Sequence, residues 1–271
     1  MSEQASWVPA DLDLDKPSAA RVYDHLLGGA HNFAADRQLA GDFLSALPSA
    51  RDVARLNRAF LRRAVVFMAE QGIRQFLDVG SGIPTAGNVH EIAQGVDPQA
   101  RVVYVDYEAV AVSHSQLILA GNDRTTIIQA DMLDPESVLA HPETRRVLDF
   151  SRPVGLIMAG VFHFVPPEAD APAVVARYRD VLAPGSHLAL SQFTADISPA
   201  EMAEVVSVMA RSADPVHPRT HAQVLELFDG FDLVDPGLVG TALWRPDDPS
   251  QAADEPGGSQ IYAGVGRLGS A

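Results

Sequence analysis

The chain has no cysteine among its 271 residues and a single lysine, Lys16. Without thiols it can form no disulfide, no thiolate zinc site and no catalytic cysteine. Acidic residues outnumber basic ones by 35 to 20, and the formal net charge is −15. The sequence therefore lacks the positive surface that nucleic acids and anionic membranes require. We expect neither of them as a partner.

Long apolar stretches are missing as well. No run approaches the roughly 20 residues that a membrane-spanning helix needs. The polar, acidic start of the chain has neither the basic region nor the apolar region of a secretory signal. We therefore expect a cytoplasmic protein. Hydrophobic residues still make up 47% of the chain, which is enough for the core of one large domain.

The apolar pattern divides the chain into a helical beginning and an alternating remainder. Helices are predicted over 18–27, 35–47 and 49–71, ahead of any strand. From residue 73 onward, short strand patterns alternate with helical ones, which indicates βαβ units and a parallel sheet covered on both faces. Two last apolar runs, 238–244 and 261–266, predict a terminal β-hairpin.

The expected fold is α/β. It is a doubly wound, mostly parallel seven-stranded sheet with a terminal antiparallel hairpin and a helical N-terminal extension. Residues 1–72 are expected to form the extension, which would act as a lid, and residues 73–271 the α/β domain. The sequence contains no domain-breaking linker, so we expect both parts to form one structural unit.

Carboxylates follow three successive strand patterns. Asp78 starts a glycine turn after the first strand, Asp106 ends the second, and Asp131 follows the third. Ligands of a parallel sheet bind at the carboxyl ends of its strands. There Asp78 would suit an ammonium group or a ribose hydroxyl, Asp106 both hydroxyls of a ribose, and Asp131 an adenine amino group. Each of them taken alone is equally compatible with a hydrogen-bonded strand-end aspartate that binds no ligand.

The loop after the first strand discriminates between nucleotide cofactors. A dinucleotide site needs a third glycine and a helix N-terminus that holds the pyrophosphate. Here Thr85 takes the place of that glycine, Pro84 precedes it, and the Asp78 carboxylate would repel a phosphate. The loop disfavours NAD and ATP. It is compatible with S-adenosylmethionine, whose amino-acid part tolerates a nearby carboxylate.

Several motifs resemble one family. Residues 18–29 (SAARVYDHLLGG), Asn32-Phe33 and Asp36-Arg37 are similar to the opening signature of the actinobacterial S-adenosylmethionine-dependent methyltransferases formerly called DUF574. The turn at 78–82 (DVGSG) and the segment 57–61 (NRAFL) also resemble this family, and the likeness extends over about 15–268. One departure is Tyr107, which starts a Tyr-Glu-Ala segment where the family often has an Asx-Pro turn. The resemblance implies a class I, Rossmann-like fold and S-adenosylmethionine as cofactor, and it leaves the acceptor open.

The predicted cofactor site combines strand ends, the first loop and the N-terminal motif. Its members are Tyr23, Gly29, Asn32, Asp78, Gly80, Ser81, Gly82, Pro84, Thr85, Asp106, Tyr107, Ala130, Asp131, Met132, Ala159, Gly160 and Val161. Within the N-terminal motif, Tyr23 and Asn32 are expected to contact the cofactor, and Arg37 to bind its carboxylate or the acceptor. The alternative is a structural network of helix caps around Asp36 and Arg37.

His163 is the candidate catalytic residue, because it follows the fourth strand, whose end flanks the methyl group in this fold. It could act as a base or orient an acceptor. A histidine hydrogen-bonded to backbone is the alternative. A base is optional, since positioning alone can drive displacement at a sulfonium. No cluster of His, Asp and Glu has the spacing of metal ligands, so no metal is predicted.

The predicted function is methyl transfer from S-adenosylmethionine to an unidentified, small-molecule O- or N-nucleophile. A non-catalytic regulatory protein that binds S-adenosylmethionine would share every cofactor residue and stays open as the alternative. An NAD-linked oxidoreductase is disfavoured by the first loop. The oligomeric state is left open.

Overall fold

A computed structural model describes residues 13–84, 87–248, 257–258 and 260–269. It begins with three helices, α1 (Ala19–Leu26), α2 (Ala34–Ala46) and α3 (Ala50–Glu70), close to their predicted bounds. Ser18 is the N-cap of α1, and its hydroxyl accepts a hydrogen bond from the Arg21 backbone N–H at 3.4 Å. Apolar side chains of α1, α2 and the first two turns of α3 share one buried cluster with Phe193, Met202 and Ile261.

The alternating part of the chain forms the sheet and its covering helices. Five parallel strands come first: β1 (Gln75–Val79), β2 (Arg101–Asp106), β3 (Thr125–Gln129), β4 (Gly155–Ala159) and β5 (His187–Phe193). The helices between them are α4 (Val89–Val96), α5 (Ala109–Ile118), α6 (Pro135–Ala140), α7 (Pro142–Val147) and α8 (Ala171–Arg179). Strand and helix alternate as the sequence predicts.

The side chains of β1 alternate between two apolar cores, one on each face of the sheet. Phe76 packs in the cluster that contains Phe60 of α3, and Leu77 packs in the cluster that contains Tyr178 of α8. All four side chains are buried. Burial on both faces explains why Phe76 and Leu77 are consecutive apolar residues, where a strand with one solvent-exposed face would alternate apolar and polar residues.

The end of the chain adds three strands, β6 (Phe231–Leu233), β7 (Val239–Gly240) and β8 (Ile261–Leu268), after the helices α9 (Pro199–Met209) and α10 (His221–Glu226). β8 runs antiparallel to β5, and both β6 and β7 pair with β8. The order is β3-β2-β1-β4-β5-β8-β6, with β7 off this path. The doubly wound, mostly parallel sheet with an antiparallel end is confirmed.

The bounds of the terminal hairpin differ from the prediction. Of the run 238–244, only Val239–Gly240 is strand, because the following residues turn and place Trp244 in the core. There the Trp244 ring packs edge-on against Phe60 at 5.4 Å between centroids. The Arg63 side chain fixes the turn by donating to the carbonyls of Trp244 at 2.8 Å and Thr241 at 2.7 Å. β6 pairs with the other end of the same edge of β8.

Across the described residues, no helix combines the length and the apolarity that crossing a membrane requires.

Candidate active site

A cavity of about 410 Å³ lies at the carboxyl ends of β1, β2 and β4, beneath α1 and α3. From β1 the chain adds β2 and β3 on one side and then β4 and β5 on the other, so the strand order reverses at β1. Open α/β sheets bind ligands at such a switch point. Many of the residues singled out in the sequence line it: Tyr23, Asp78, Gly80, Ser81, Gly82, Asp106, Tyr107, Ala130, Asp131, Met132, Ala159, Gly160, Val161 and His163.

The loop after β1 approaches the end of β4 closely. Gly80 has φ 72°, and a Cβ there would lie 2.2 Å from Cγ2 of Val161. The position therefore requires glycine for its conformation and for its space. The Gly80 N–H donates to the carbonyl of Val105 at 2.8 Å. The loop is thus fixed to β2 while its backbone borders the cavity.

Asp78 presents a buried carboxyl group at the end of β1. Burial raises its pKa to about 7, the Arg58 charge acts in the opposite direction, and the charge of Asp106 adds to the rise. The side chain is only 6% exposed, yet it lines the cavity. A carboxyl in this environment gains most from a cationic ligand, which would offset the cost of ionising it.

Asp106 is held in place by backbone donors. Its Oδ2 accepts from the N–H of Gly82 at 2.7 Å, and its Oδ1 accepts from the N–H of Glu108 at 2.9 Å. Burial raises its pKa to about 6, and these two backbone hydrogen bonds oppose the rise. Each carboxylate oxygen has a second lone pair. The group can therefore still accept hydrogen bonds from a ligand in the cavity.

The third strand-end carboxylate is more exposed. Asp131 lies at the cavity wall and its Oδ1 accepts from the N–H of Leu133 at 2.8 Å. On the neighbouring wall the Tyr107 hydroxyl donates to Oδ1 of Asp214. The other oxygen of Asp214 accepts from the N–H of Ala19 at 2.7 Å. Asp214 thus ties the start of α1 to the loop after β2.

Some predicted site residues lie away from this cavity. Asn32 donates to Oδ2 of Asp24 at 2.8 Å and to the carbonyl of Gly29 at 3.0 Å. Arg37 donates to the backbone carbonyl of Asn32 at 2.9 Å and to its side-chain oxygen at 3.2 Å. A Cβ on Gly29 would lie 2.0 Å from the Asp24 carboxylate, so glycine is required there. These contacts form a structural network around Asn32 and Arg37, and Asp36 separately caps α2, because its Oδ2 accepts from the N–H of Phe33 at 2.8 Å.

Two members of the first loop also differ in position from the rest. Pro84 lines a small recess beside the cavity, together with Asp78 and Ser81. Thr85 lies outside the described residues.

His163 lines the cavity, and its ring packs between those of Phe164 and Phe193, at centroid distances of 4.3 and 4.6 Å. Burial lowers its pKa to about 3, and the nearby charge of Arg219 adds to this effect. Its Nδ1 has no hydrogen-bond partner among the described residues. The imidazole is neutral at physiological pH. It is a weak proton acceptor with free hydrogen-bonding capacity.

Two adjacent residues of α3, Asn57 and Arg58, line the cavity without having been predicted as site residues. Asn57 accepts from the Ser191 hydroxyl at 2.6 Å and donates to the Tyr23 hydroxyl at 3.3 Å. The Tyr23 hydroxyl in turn donates to the carbonyl of Ala54 at 3.1 Å. The sequence signal was a polar pair on a helix whose neighbours at helical spacing are apolar.

A buried charge cluster joins the N-terminal helices to the loop after β2. The Arg21 Nε donates to Asp36, with a shortest distance of 2.9 Å, and its Nη1 donates to Glu108 at 2.7 Å. Glu108 is also the N-cap of α5, since its Oε2 accepts from the N–H of Ala111 at 2.8 Å. All three charged side chains are buried. We refer to Arg21, Asp36 and Glu108 as the Arg21 network.

The strand order and the site at the switch point define a Rossmann-like α/β fold that binds its ligand at the carboxyl ends of the strands. The 1,6-didemethyltoxoflavin-N1-methyltransferase of Burkholderia thailandensis, solved with 1,6-didemethyltoxoflavin and S-adenosylhomocysteine, shares this fold. Its TM-score is 0.50 at 20% identity, over 97% of this chain and 94% of that one.

The model of the S-adenosyl methyltransferase family matches residues 5–269, and the chain belongs to this family. Two crystal structures are closely similar. A candidate methyltransferase from Thermobifida fusca YX is 43% identical over 98% of this chain and 100% of that one, with a TM-score of 0.92. A DUF574 family protein from Streptomyces avermitilis MA-4680 is 41% identical over 94% and 99%, with a TM-score of 0.90.

No curated protein matches the chain. The predicted family is nevertheless confirmed, and with it an enzyme that uses S-adenosylmethionine. The alternative of a non-catalytic regulatory protein finds no support in these comparisons.

Proposed function

We propose that the enzyme methylates a small-molecule O- or N-nucleophile held beneath the N-terminal helices. One observation carries this proposal. The buried carboxyls of Asp78 and Asp106 share a cavity with an apolar compartment formed by α1, α3 and the end of β5. A cofactor bound at the strand ends would thus face a second, covered space. Such a space suits a small acceptor better than a polymer.

The polar groups at the strand ends match S-adenosylmethionine in type. Asp78 would pair with its ammonium group, and Arg58 would bind its carboxylate. Asp106 would accept from the ribose hydroxyls, and Asp131 from the adenine amino group beside Met132. The remaining proposed contacts all line the cavity: Tyr23, Gly80, Ser81, Gly82, Tyr107, Ala130, Ala159, Gly160 and Val161. Gly29, Asn32 and Pro84 are not part of this set.

Bound S-adenosylmethionine supplies an electrophilic methyl group: the acceptor lone pair forms a bond to the methyl carbon while the C–S bond breaks, and its electron pair stays on sulfur. The protein's contribution is then mainly to align the acceptor and to exclude water. His163 would orient the acceptor by a hydrogen bond from a neutral imidazole. With a pKa of about 3, it would not hold the proton that the acceptor loses, and this proton would pass to solvent.

The cofactor assignment is tested by calorimetry with S-adenosylmethionine, S-adenosylhomocysteine and NAD. We expect the first two to bind and NAD not to. Asp106→Ala should weaken binding about ten- to a hundredfold, since a charge-assisted hydrogen bond contributes about 1.5–3 kcal/mol. Asp229→Ala is the matched control, because that side chain is 91% exposed and remote from the cavity. Equal affinity in the two variants would refute the role of Asp106.

The transfer itself is tested by a screen of small hydroxyl and amine compounds, with release of S-adenosylhomocysteine as the readout. Turnover with a small molecule supports the proposal. Turnover that occurs only with a protein or a nucleic acid, and with none of the small molecules, would contradict it.

A further inference from the structure

The apolar part of the cavity beneath the N-terminal helices, which we call the acceptor end, indicates the chemistry of the acceptor. Resting on the proposed function, we infer that the acceptor is an uncharged, largely apolar ring compound whose hydroxyl or amine is its only strongly polar group near the methyl donor. The inference comes from the wall composition, from the charge pairing and from the aromatic rings on that side.

The walls at this end are apolar. They are formed by Leu26, Phe43, Val53, Phe193, Val216 and Ile261, all of them buried. These side chains come from α1, α2, α3, β5, the segment after α9, and β8. Apolar surface that lines a cavity gains free energy when an apolar ligand covers it, by about 25 cal/mol per Å². A hydrophilic ligand would gain little there and would lose its own hydration.

The charged residues that line the cavity either pair with other protein groups or lie on the side proposed for the cofactor. Asp214 has both oxygens engaged, by Tyr107 and by the N–H of Ala19. Glu108 pairs with Arg21. The remaining charged lining residues of the described chain, Arg58, Asp78, Asp106 and Asp131, belong to the strand-end side proposed for the cofactor.

Arg219, whose charge lowers the pKa of His163, does not line the cavity. Its guanidinium donates to the carbonyls of Phe162 at 2.5 Å and Val165 at 3.0 Å. Within the described residues, the acceptor end therefore offers no cation to a ligand carboxylate or phosphate. An anion there would be buried without a partner, which is strongly unfavourable.

The rings on this side favour a planar ligand. His163, Phe164 and Phe193 form a cluster of tilted aromatic planes, at 66° between the first two and 59° between His163 and Phe193. Such faces and edges pack against another ring with specific geometry. The neutral His163 imidazole is the polar group in this cluster, and one hydrogen bond to a hydroxyl or amine would set the direction of attack.

The test uses the full chain loaded with S-adenosylhomocysteine and three matched probes. These are 2-naphthol, 6-hydroxy-2-naphthoate and the methyl ester of the latter. Calorimetry should give measurable binding of 2-naphthol and of the ester. The carboxylate should bind at least about a hundredfold more weakly than the ester. To enter the site it must either be buried without a partner or take up a proton at a pH well above its own pKa.

Two variants of the cavity wall sharpen the test. Val216→Phe fills the acceptor end and should reduce 2-naphthol binding at least about tenfold while leaving the affinity for S-adenosylhomocysteine unchanged. Met209 lines the cavity from α9, so Met209→Lys adds a cation to the lining and should raise the affinity for 6-hydroxy-2-naphthoate relative to the ester. Thermal melting of both variants shows that they are folded.

The outcomes separate a failure of the inference from a failure of the proposed function. A carboxylate that binds as tightly as the ester would overturn the inference, and so would an ester as weak as the carboxylate, because size rather than charge would then discriminate. Failure of 2-naphthol to bind the loaded protein would overturn it as well. In all three cases the proposed function stands. Failure of S-adenosylhomocysteine itself to bind would instead overturn the proposed function, and the inference with it.

Discussion

If Asp78 pairs with the ammonium group of S-adenosylmethionine, affinity must depend on pH in a defined way. Its carboxyl has a pKa of about 7 in the ligand-free protein, chiefly because it is buried. A bound cation favours the ionised form and lowers this pKa. Binding therefore releases a proton below pH 7, and affinity rises with pH in that range.

The magnitude follows from the ionised fraction. With a pKa of about 7, about half of the Asp78 carboxyls are ionised at pH 7 and about one in a hundred at pH 5. The dissociation constant should therefore increase about fiftyfold between these two values, provided that the bound form stays ionised. Asp106, with a pKa of about 6, adds to the slope at the acidic end.

The assay is calorimetric titration with S-adenosylmethionine between pH 5 and pH 7, below the range in which an α-amino group of pKa about 8 loses its proton. Asp78→Asn should bind about ten- to a hundredfold more weakly at pH 7 and should show a much flatter pH dependence. Wild-type affinity that does not change across this window would refute the reasoning. An undiminished slope in Asp78→Asn would assign the titration to another group.

Three further outcomes are expected. Asp78→Asn should raise the melting temperature of the ligand-free protein at pH 8 but not below about pH 4: the folded pKa of about 7 lies above the ordinary value of 3.8, so the stability cost of the charge grows as the pH rises from about 4 and is complete above about 7. Arg21→Met should lower the free energy of unfolding in urea by about 3–5 kcal/mol, because it leaves two buried carboxylates without their cation, whereas Asp229→Ala should have no measurable effect. His163→Gln should lower turnover while the affinity for S-adenosylmethionine stays within about twofold. The turnover of the wild-type enzyme should show no change between pH 5 and 8 that comes from titration of this histidine. A pH-dependent change that is present in the wild type and lost in His163→Gln would indicate that the histidine acts as a base.

The elements that the sequence predicted well are those set by local pattern. The strands β1 to β5 each contain consecutive apolar residues, and Asp78 follows such a pair in β1, one residue before the strand ends. Parallel connections then bring all these strand ends to the same edge. The cavity residues at 78–82, 106 and 130–132 could therefore be derived without a structure.

The misjudged elements depend on contacts between distant parts of the chain or on short segments. β6 has three residues, too few for a periodic pattern, and becomes a strand because β8 offers it an edge. The helices α6 and α7 were missed, although each has a proline in its first turn, which is a helix-start signal.

The N-terminal motif shows why sequence proximity does not predict a shared role. Tyr23 and Asn32 are close in the chain, yet only Tyr23 lines the cavity. Asn32 bonds locally to Asp24 and Gly29. The contact between Arg21 and Glu108 spans 87 positions, and no spacing rule could pair them.

The Arg21 network has a consequence for protein engineering. The cation and one of its carboxylates lie in the N-terminal helices, while the other carboxylate, Glu108, lies in the loop after β2, two residues beyond Asp106. A chimaera that joins these helices to the sheet of a relative at residue 72 would match charges only if that relative has an acidic residue at the position of Glu108. Grafting Glu108 together with the helices should rescue a chimaera that otherwise fails to fold. The two halves of this enzyme therefore have to be exchanged together with the residues that neutralise one another across their boundary.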